Sequence, residues 1–229
     1  MLRAGHRARE RLDSALSLFP TEFLHLSQDQ QAVSVSLYRL LAEGEPVGLS
    51  ELGKAAGVPD EKTRRILDGW PGVYSDEEGR IIGFWGLALP ETDHRFQVQG
   101  RTLYTWCAWD SLFIPAILQG TAQVESRCPE TGQGIGLTVS PNGVEELRPS
   151  GVVMSFLTPD AVKVREDVIV HFCHYVHFFS SSEAGSRWVA KNPGTYLLSL
   201  EEAYQLGRKK NAMQFQDVLA LMTSDYKGG

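Results

Sequence analysis

Two cysteines are the first candidates for chemistry in this sequence, because each lies among residues that can change or share its reactivity. Cys107 lies between two tryptophans in LYTWCAWDSLF, three positions ahead of Asp110. Cys173 lies among histidines and aromatic residues in DVIVHFCHYVHFF. A thiolate is a nucleophile and a ligand for soft metals, and a nearby carboxylate can accept and return a proton.

The first segment predicts a helix over residues 102–114, because its large apolar residues recur at helical spacing. A helix places Cys107 and Asp110 one turn apart, so that the thiol and the carboxylate are neighbours. A strand would send the two side chains to opposite faces, so their cooperation depends on the helix. The alternative interpretation is a cysteine that packs between the tryptophans as a small buried hydrophobic residue.

The second segment predicts a long strand over residues 167–179, in which alternate side chains point to opposite faces. One face is apolar and suits a core. The other face presents His171, Cys173, Tyr175 and His177, which are costly to bury unless they are paired or used. Histidines that are satisfied by hydrogen bonds within a core are the competing interpretation.

These side chains are compatible with two further kinds of site. A cysteine beside a histidine is the nucleophile and base of many hydrolases, although nothing in the sequence marks an oxyanion site or selects one imidazole. His171, Cys173 and His177 on one strand face supply three of the four ligands of a zinc site. Cys128 in SRCPETGQG matches half of a zinc knuckle without a second half, so we assign it a structural role or none.

The composition indicates a packed globular protein that does not bind polyanions. The chain has 229 residues, of which 42% are hydrophobic, enough for one large domain or two small ones. Its formal net charge of -6 argues against nucleic acids and anionic membranes as partners. Three cysteines without a C-x-x-C pair suit a reducing compartment. We expect a cytoplasmic, soluble protein, since no segment resembles a signal peptide or the ~20 apolar residues of a membrane helix.

The N-terminal part predicts a winged helix over residues 20–86. A helix over residues 29–43 precedes a helix-turn-helix pattern, in which Ser50 caps the first helix, Gly57 makes the turn and Pro59 opens the second. Two short strands around an acidic turn complete the wing. The second helix and the wing turn carry the acidic residues Asp60, Glu61, Asp68, Asp76, Glu77 and Glu78. Because these carboxylates repel phosphates, we expect a packing scaffold and no nucleic-acid partner.

The rest of the chain predicts an α+β domain with an antiparallel or mixed sheet and flanking helices. Besides the long strand, strands are expected near residues 94–99, 121–127, 134–139 and 151–157. Helices are expected near residues 183–191 and 200–212. The expected domains are an N-terminal extension, a winged-helix-like domain and an α+β catalytic domain, over residues 1–19, 20–86 and 87–229.

Five motifs occur between residues 86 and 207, in the order GLALPETDHRF, LYTWCAWDSLFIPAIL, GLTVSP, CHYVHFF and EEAYQLG, within a likeness that covers about residues 20–212. Their order and spacing resemble those of the organomercurial (alkylmercury) lyases of bacterial mercury resistance. The resemblance implies that Cys107 and Cys173 are the two catalytic cysteines and that Asp110 is the catalytic aspartate. His174 stands where some members have a further cysteine, which removes one extra ligand. The resemblance also implies a winged-helix-like part that does not bind DNA sequence-specifically.

An enzyme of this family would cleave the carbon–mercury bond of R–Hg⁺ by protonolysis, giving R–H and Hg(II). The resemblance implies that Cys107 and Cys173 bind the substrate and product mercury, with Asp110 as a further candidate ligand. Soft thiolates suit this soft metal, and Asp110 can carry a proton from thiol to carbon. No organic cofactor and no resident metal are expected, whereas external thiols are needed to release Hg(II) to mercuric reductase or a small-molecule thiol. The pocket is expected to include Trp106, Trp109, His171 and Tyr175.

Two other classes of protein remain open on the sequence. A mercury- or metal-responsive winged-helix regulator would bind DNA in a manner that changes with Hg²⁺. A Cys-His thiol hydrolase or transferase would turn over esters or amides through a histidine.

Overall fold

Three helices open the described part of the chain, because its apolar residues repeat at helical spacing. The computed structural model describes residues 24–158 and 160–216, so the predicted extension over residues 1–19 lies outside the described residues. The helices are α1 (Gln28–Ala42), α2 (Leu49–Ala56) and α3 (Asp60–Asp68). A capping box starts α1, in which Ser27 and Gln30 each accept a backbone hydrogen bond from the other.

The predicted helix-turn-helix is confirmed, with one difference at its start. Gly57 ends α2 in the left-handed conformation with a φ of 66°, and Pro59 directly precedes α3. Ser50 does not cap α2, because Gly48 holds the N-cap position. Its hydroxyl donates a hydrogen bond to Asp60 instead, which ties the two helices of the motif together.

The predicted wing is also present. Strands β1 (Val73–Ser75) and β2 (Ile81–Phe84) form an antiparallel pair around the acidic turn. Asp76 closes this turn. It accepts a hydrogen bond from the backbone N–H of Arg80 at 2.9 Å and forms an ion pair with the guanidinium of the same residue. The N-terminal part is therefore a winged helix whose wing turn is acidic.

One eight-stranded antiparallel sheet continues from the wing into the rest of the chain. The strands that follow the wing are β3 (Leu87–Ala88), β4 (His94–Val98), β5 (Arg101–Thr105), β6 (Ala122–Arg127), β7 (Gly134–Ser140) and β8 (Gly143–Arg148). Their spatial order is β1-β2-β3-β5-β4-β6-β7-β8. Because β3 pairs with β2 on one side and β5 on the other, the wing and the strand that leads to Cys107 share one framework.

The helix predicted over residues 102–114 is wrong in its first half. Residues 102–105 belong to β5, which pairs with β3 and β4. The chain then turns through residues 106–109, and α4 runs over Asp110–Leu118. The apolar spacing that suggested one helix therefore spans a strand, a turn and the beginning of a helix.

The long strand predicted over residues 167–179 is wrong as well. Asp167 accepts hydrogen bonds from the backbone N–H groups of Ile169 and Val170, and this N-cap starts a helix in place of a strand. The segment from residue 161 holds α5 (Ala161–Glu166), α6 (Val168–His171), a 3₁₀ turn (Cys173–Tyr175) and β10 (Phe178–Phe179). No single strand face therefore unites His171, Cys173, Tyr175 and His177.

A second, smaller sheet and two helices complete the α+β fold. The sheet has the order β10-β9-β11, with β9 (Val153–Leu157) at its centre and β11 (Thr195–Ser199) at one edge. The helices predicted near residues 183–191 and 200–212 are present as α7 (Ser182–Lys191) and α8 (Leu200–Gln214). The indole of Trp109 donates to the carbonyl of Ala203 at 3.0 Å, which fixes α8 against the start of α4. Within the described residues, no helix has the length and apolar character of a membrane span.

A close backbone approach at Gly86, between β2 and β3, shapes the surroundings of Asp110. Gly86 has a φ of +101°, a backbone conformation that residues with a side chain rarely adopt. A Cβ atom built at this position would lie 2.4 Å from Cγ of Asp110. Both the conformation and the space therefore require glycine here.

We predict that Gly86→Ala is much more destabilising than Gly79→Ala. Gly79, in the wing turn, also has a positive φ of +76°, but nothing lies within 4 Å of a Cβ built there. Gly79→Ala should therefore lower the free energy of unfolding by only ~1–2 kcal/mol, the cost of a left-handed backbone conformation for a residue with a Cβ atom. Gly86→Ala should lose a further ~1–3 kcal/mol through overpacking against Asp110. Denaturant unfolding measures both losses, and equal values for the two variants would contradict the close contact.

Candidate active site

Cys107, Asp110 and Cys173 converge in one buried cluster. Their two sulfur atoms and a carboxylate oxygen all lie within 4.8 Å of one another. The side chains come from three elements: the turn after β5, the first residue of α4 and the first residue of the 3₁₀ turn. Their exposed fractions are 0%, 6% and 4%, respectively, so water is largely excluded from the cluster. The fold thus brings two soft sulfur donors and one carboxylate to a common point.

The turn before α4 brings Asp110 back onto Cys107. Its Oδ2 accepts a hydrogen bond from the backbone N–H of Cys107 at 2.9 Å. The next residue, Ala108, donates its N–H to the carbonyl of Val176 at 3.1 Å, which links this turn to the segment that carries the second thiol. The thiol and the carboxylate therefore meet through a helix-initiating turn, and not across one turn of a continuous helix.

The turn that carries Cys173 is held from the other side by β9. Ser155, which is fully buried in β9, donates its hydroxyl proton to the carbonyl of Tyr175 at 2.8 Å. The same hydroxyl oxygen accepts a hydrogen bond from the N–H of His177 at 3.0 Å. These two bonds fix the backbone just after Cys173, so that its sulfur faces the cluster without the predicted strand.

An apolar cleft adjoins the cluster, and Asp110 and Cys173 form part of its wall. Most of the remaining wall is aromatic or aliphatic and includes Trp85, Trp106, Trp109, Phe113, Val168 and Phe172. Two of the four predicted pocket residues, Trp106 and Trp109, therefore line the cleft. The other two, His171 and Tyr175, are not among its lining residues. Such a wall excludes water and suits an alkyl or aryl group.

All three groups of the cluster hold their protons more tightly than they would in water. Burial raises the pKa of Cys107 well above the usual thiol value, and the contacts with Cys173 and Asp110 act in the same direction. Burial also raises the pKa of Asp110 to about 6, against hydrogen bonds from Cys107 and the charge of Lys210. For Cys173 the hydrogen bond with Cys107 lowers the pKa, but burial and the charges of Asp110 and Asp167 outweigh it. The cluster therefore favours two neutral thiols at rest.

The other candidate ligands do not form a second site. Across residues 24–158 and 160–216, the Cys107 cluster is the one group of three or more His, Cys, Asp and Glu side chains placed to hold a metal ion. His171 lies beside Glu166, with Nε2 and Oε2 3.9 Å apart. His177 contacts the carbonyl of His174 through Nε2 at 2.8 Å. The predicted zinc site is therefore absent from this part of the chain.

Cys128 stands apart from the cluster, in the loop between β6 and β7. It is fully buried, and its carbonyl accepts a hydrogen bond from the N–H of Gly132 at 2.8 Å. Cys128 belongs to no candidate metal site within the described residues, and its assignment to a structural role or none stays a prediction.

Sequence reasoning missed several residues of the site. Trp85 and Gly86 form the turn into β3, and the GFWG sequence, with glycine on both sides of a tryptophan, was an available signal. Lys210 also lines the cleft, although it lies on the buried face of α8. Its spacing of three and four residues from Gly207 and Leu206 could have placed it on that face.

Sequence comparisons place the chain among known proteins. A family model described as "Alkylmercury lyase" matches residues 87–211, and one described as "Helix-turn-helix domain of alkylmercury lyase" matches residues 25–85. The alkylmercury lyase of Staphylococcus epidermidis is 38% identical over 202 residues, which cover 86% of this chain and 92% of that protein. The alkylmercury lyase of Pseudomonas putida is 44% identical over 173 residues, which cover 76% of this chain and 80% of that protein.

The fold is shared with a solved structure. The crystal structure of the mercury-bound form of MerB2 has a TM-score of 0.68 at 22% sequence identity, and the match covers 90% of this chain and 98% of that chain. This likeness supports the α+β fold, with its winged helix and antiparallel sheet. Because one family model covers more than half of the chain and the relatives match over most of their length, the chain belongs to the alkylmercury lyase family of enzymes.

Proposed function

We propose that this protein is an organomercurial lyase that cleaves the carbon–mercury bond of R–Hg⁺ by protonolysis, releasing R–H and Hg(II). The observation that carries the proposal is the cluster of two buried thiols and one buried carboxyl group within 4.8 Å, beside an apolar cleft. Membership of the alkylmercury lyase family supports the same substrate class.

Two thiols at this separation suit mercury better than a harder metal. Mercury(II) is a soft ion, and thiolates are soft ligands that select soft metals. Cys107 and Cys173 are close enough to bind one mercury atom together, and an oxygen of Asp110 lies within the same 4.8 Å. The apolar wall would hold the organic group of the substrate and keep water away from it.

The protons balance when Asp110 acts as the carrier. When R–Hg–SR′ arrives, one cysteine displaces R′S as R′SH, so the proton of that cysteine leaves with the external thiol. The second cysteine binds mercury as its proton passes to the Asp110 carboxylate. The protonated carboxyl then gives this proton to the carbon, the electron pair of the Hg–C bond becomes the C–H bond, and mercury stays Hg(II). A carboxyl group with a pKa of about 6 suits both proton transfers near neutral pH.

This scheme uses neither an organic cofactor nor a resident metal. External thiols would then take Hg(II) from Cys107 and Cys173, and mercuric reductase or a small-molecule thiol is the acceptor that we propose. A Cys-His hydrolase fits less well, because none of the lining residues of the cleft in the described chain is a histidine. A DNA-binding regulator also fits less well, because the wing turn is acidic.

We predict that the purified protein releases benzene from phenylmercury in the presence of excess thiol and leaves Hg(II) behind. Gas chromatography of the headspace measures the benzene. The control is the same thiol and phenylmercury without protein, since slow chemical cleavage must be subtracted. Benzene that forms no faster than in this control would remove the lyase proposal.

The three cysteines should differ in a defined way. Cys107→Ser and Cys173→Ser should each lower turnover at least ~10²-fold, because a serine hydroxyl is a hard, weakly acidic ligand for mercury. Cys128→Ser is the matched control, since Cys128 is equally buried but lies outside the cluster, and it should keep most of the turnover. Circular dichroism checks that each variant is folded. A folded Cys173→Ser protein with the wild-type rate would refute the two-thiol site.

Asp110→Asn should separate binding from chemistry. The amide keeps the size of the carboxylate but cannot carry the proton, so cleavage of bound organomercurial should be at least ~10²-fold slower. Binding through the two thiols should persist. Mass spectrometry of the loaded protein measures binding, and rapid-quench release of benzene measures the single-turnover rate. A single-turnover rate close to that of the wild type would reduce Asp110 to a structural role.

A further inference from the structure

The cleft contains one positive charge that the proposed chemistry does not use. Lys210 projects from α8 and lines the same cleft as Asp110 and Cys173. Its exposed fraction is only 7%, which is unusual for a lysine. The Nζ atom lies 3.7 Å from the ring centroid of Phe113 and 5.9 Å from that of Phe215. The cleft is therefore apolar except at the thiol–carboxyl cluster, at this ammonium group and at the amide of Gln214.

Within the part of the chain that the structure describes, this ammonium group lacks a hydrogen-bond or ion-pair partner, although the charge of Asp110 acts on it. No hydrogen bond and no ion pair of Lys210 is formed with those residues, and two aromatic rings replace only part of the water that the group loses. Burial lowers its pKa to about 7, and the charge of Asp110 opposes this shift. A buried cation without an acceptor is costly, so a ligand that supplied an acceptor would be bound favourably.

We propose that Lys210 determines substrate specificity by receiving an anionic group, such as a carboxylate or sulfonate, on the organic part of the organomercurial. The inference rests on the proposed lyase function. Mercury would bind at the thiols, an aryl spacer would lie along the aromatic wall, and the anionic group would accept charge-assisted hydrogen bonds from Nζ. The preferred substrates would be arylmercurials with an acidic substituent.

A different role for Lys210 predicts a different result. As a counter-ion of Asp110 alone, the lysine would affect proton transfer to every substrate to the same degree. As an anion receptor, it changes the ratio of rates between a charged and a neutral substrate. A ratio of two substrates therefore distinguishes the roles.

The test compares kcat/KM for 4-carboxyphenylmercury and 4-carbamoylphenylmercury, which have nearly the same shape but differ in charge. The wild-type protein should prefer the carboxylate ~10–100-fold, the effect of a hydrogen bond between charged groups. Lys210→Met should lower this preference for the carboxylate at least ~10-fold. Arg208→Met is the matched control, because it removes a cation from the exposed side of the same helix and should keep the ratio.

Each outcome decides the question. A wild-type preference below ~3-fold, with both compounds cleaved, would overturn the specificity role and leave the lyase proposal intact, even if Lys210→Met did not fold. An equal loss for both substrates in Lys210→Met would assign the lysine to Asp110 and overturn anion recognition. If the wild-type protein cleaved phenylmercury but neither of these compounds, this inference alone would be overturned. If it cleaved none of the three, the lyase proposal would fail as well.

Discussion

The hydrogen bond from the backbone N–H of Cys107 to the carboxylate of Asp110 is the contact around which the site is built. It closes the turn between β5 and α4 and holds a carboxylate beside a thiol in an environment that disfavours charge. The position of this carboxyl group also constrains the neighbouring elements. Gly86 must lack a side chain because the carboxyl group occupies that space, and β3 must pair with β5 to hold Gly86 there. Even the wing is connected to this contact, since β2 and β3 belong to the same sheet.

Burial of the cluster also explains how metal capture and proton supply can be linked. In a dry site the thiols keep their protons, since desolvation disfavours the thiolate form. Binding of a soft metal ion displaces those protons, because only the deprotonated sulfur is a good ligand. The proton displaced from the second cysteine appears next to Asp110, which is the group nearest to the mercury-bound carbon in our proposal. The same burial that keeps the resting site inert would therefore supply the proton at the time when it is needed.

The sequence predicted those parts of the fold in which a local signal agrees with the final structure. The turn glycine at Gly57 and the acidic wing turn are of this kind, because left-handed backbone and short hairpins require particular residues. The predictions over residues 102–114 and 167–179 were wrong, because these segments hold several short elements whose apolar residues are buried by neighbouring elements, so that their spacing does not report the local structure. An aspartate cap at Asp167 was a local signal that was available and outweighed. The identity of the site residues came from the family resemblance, and their meeting depends on tertiary contacts such as the one between Ala108 and Val176.

In the proposed mechanism, Cys107 and Cys173 bind a single mercury atom together. X-ray absorption at the mercury edge tests this most directly, on the Cys128→Ser protein loaded with one equivalent of Hg(II) and freed of external thiol. The Cys128→Ser background removes the third sulfur, so that every protein sulfur at the metal must come from the cluster. We predict two sulfur ligands per mercury, and a spectrum that fits with one sulfur ligand would contradict shared binding by the two cysteines.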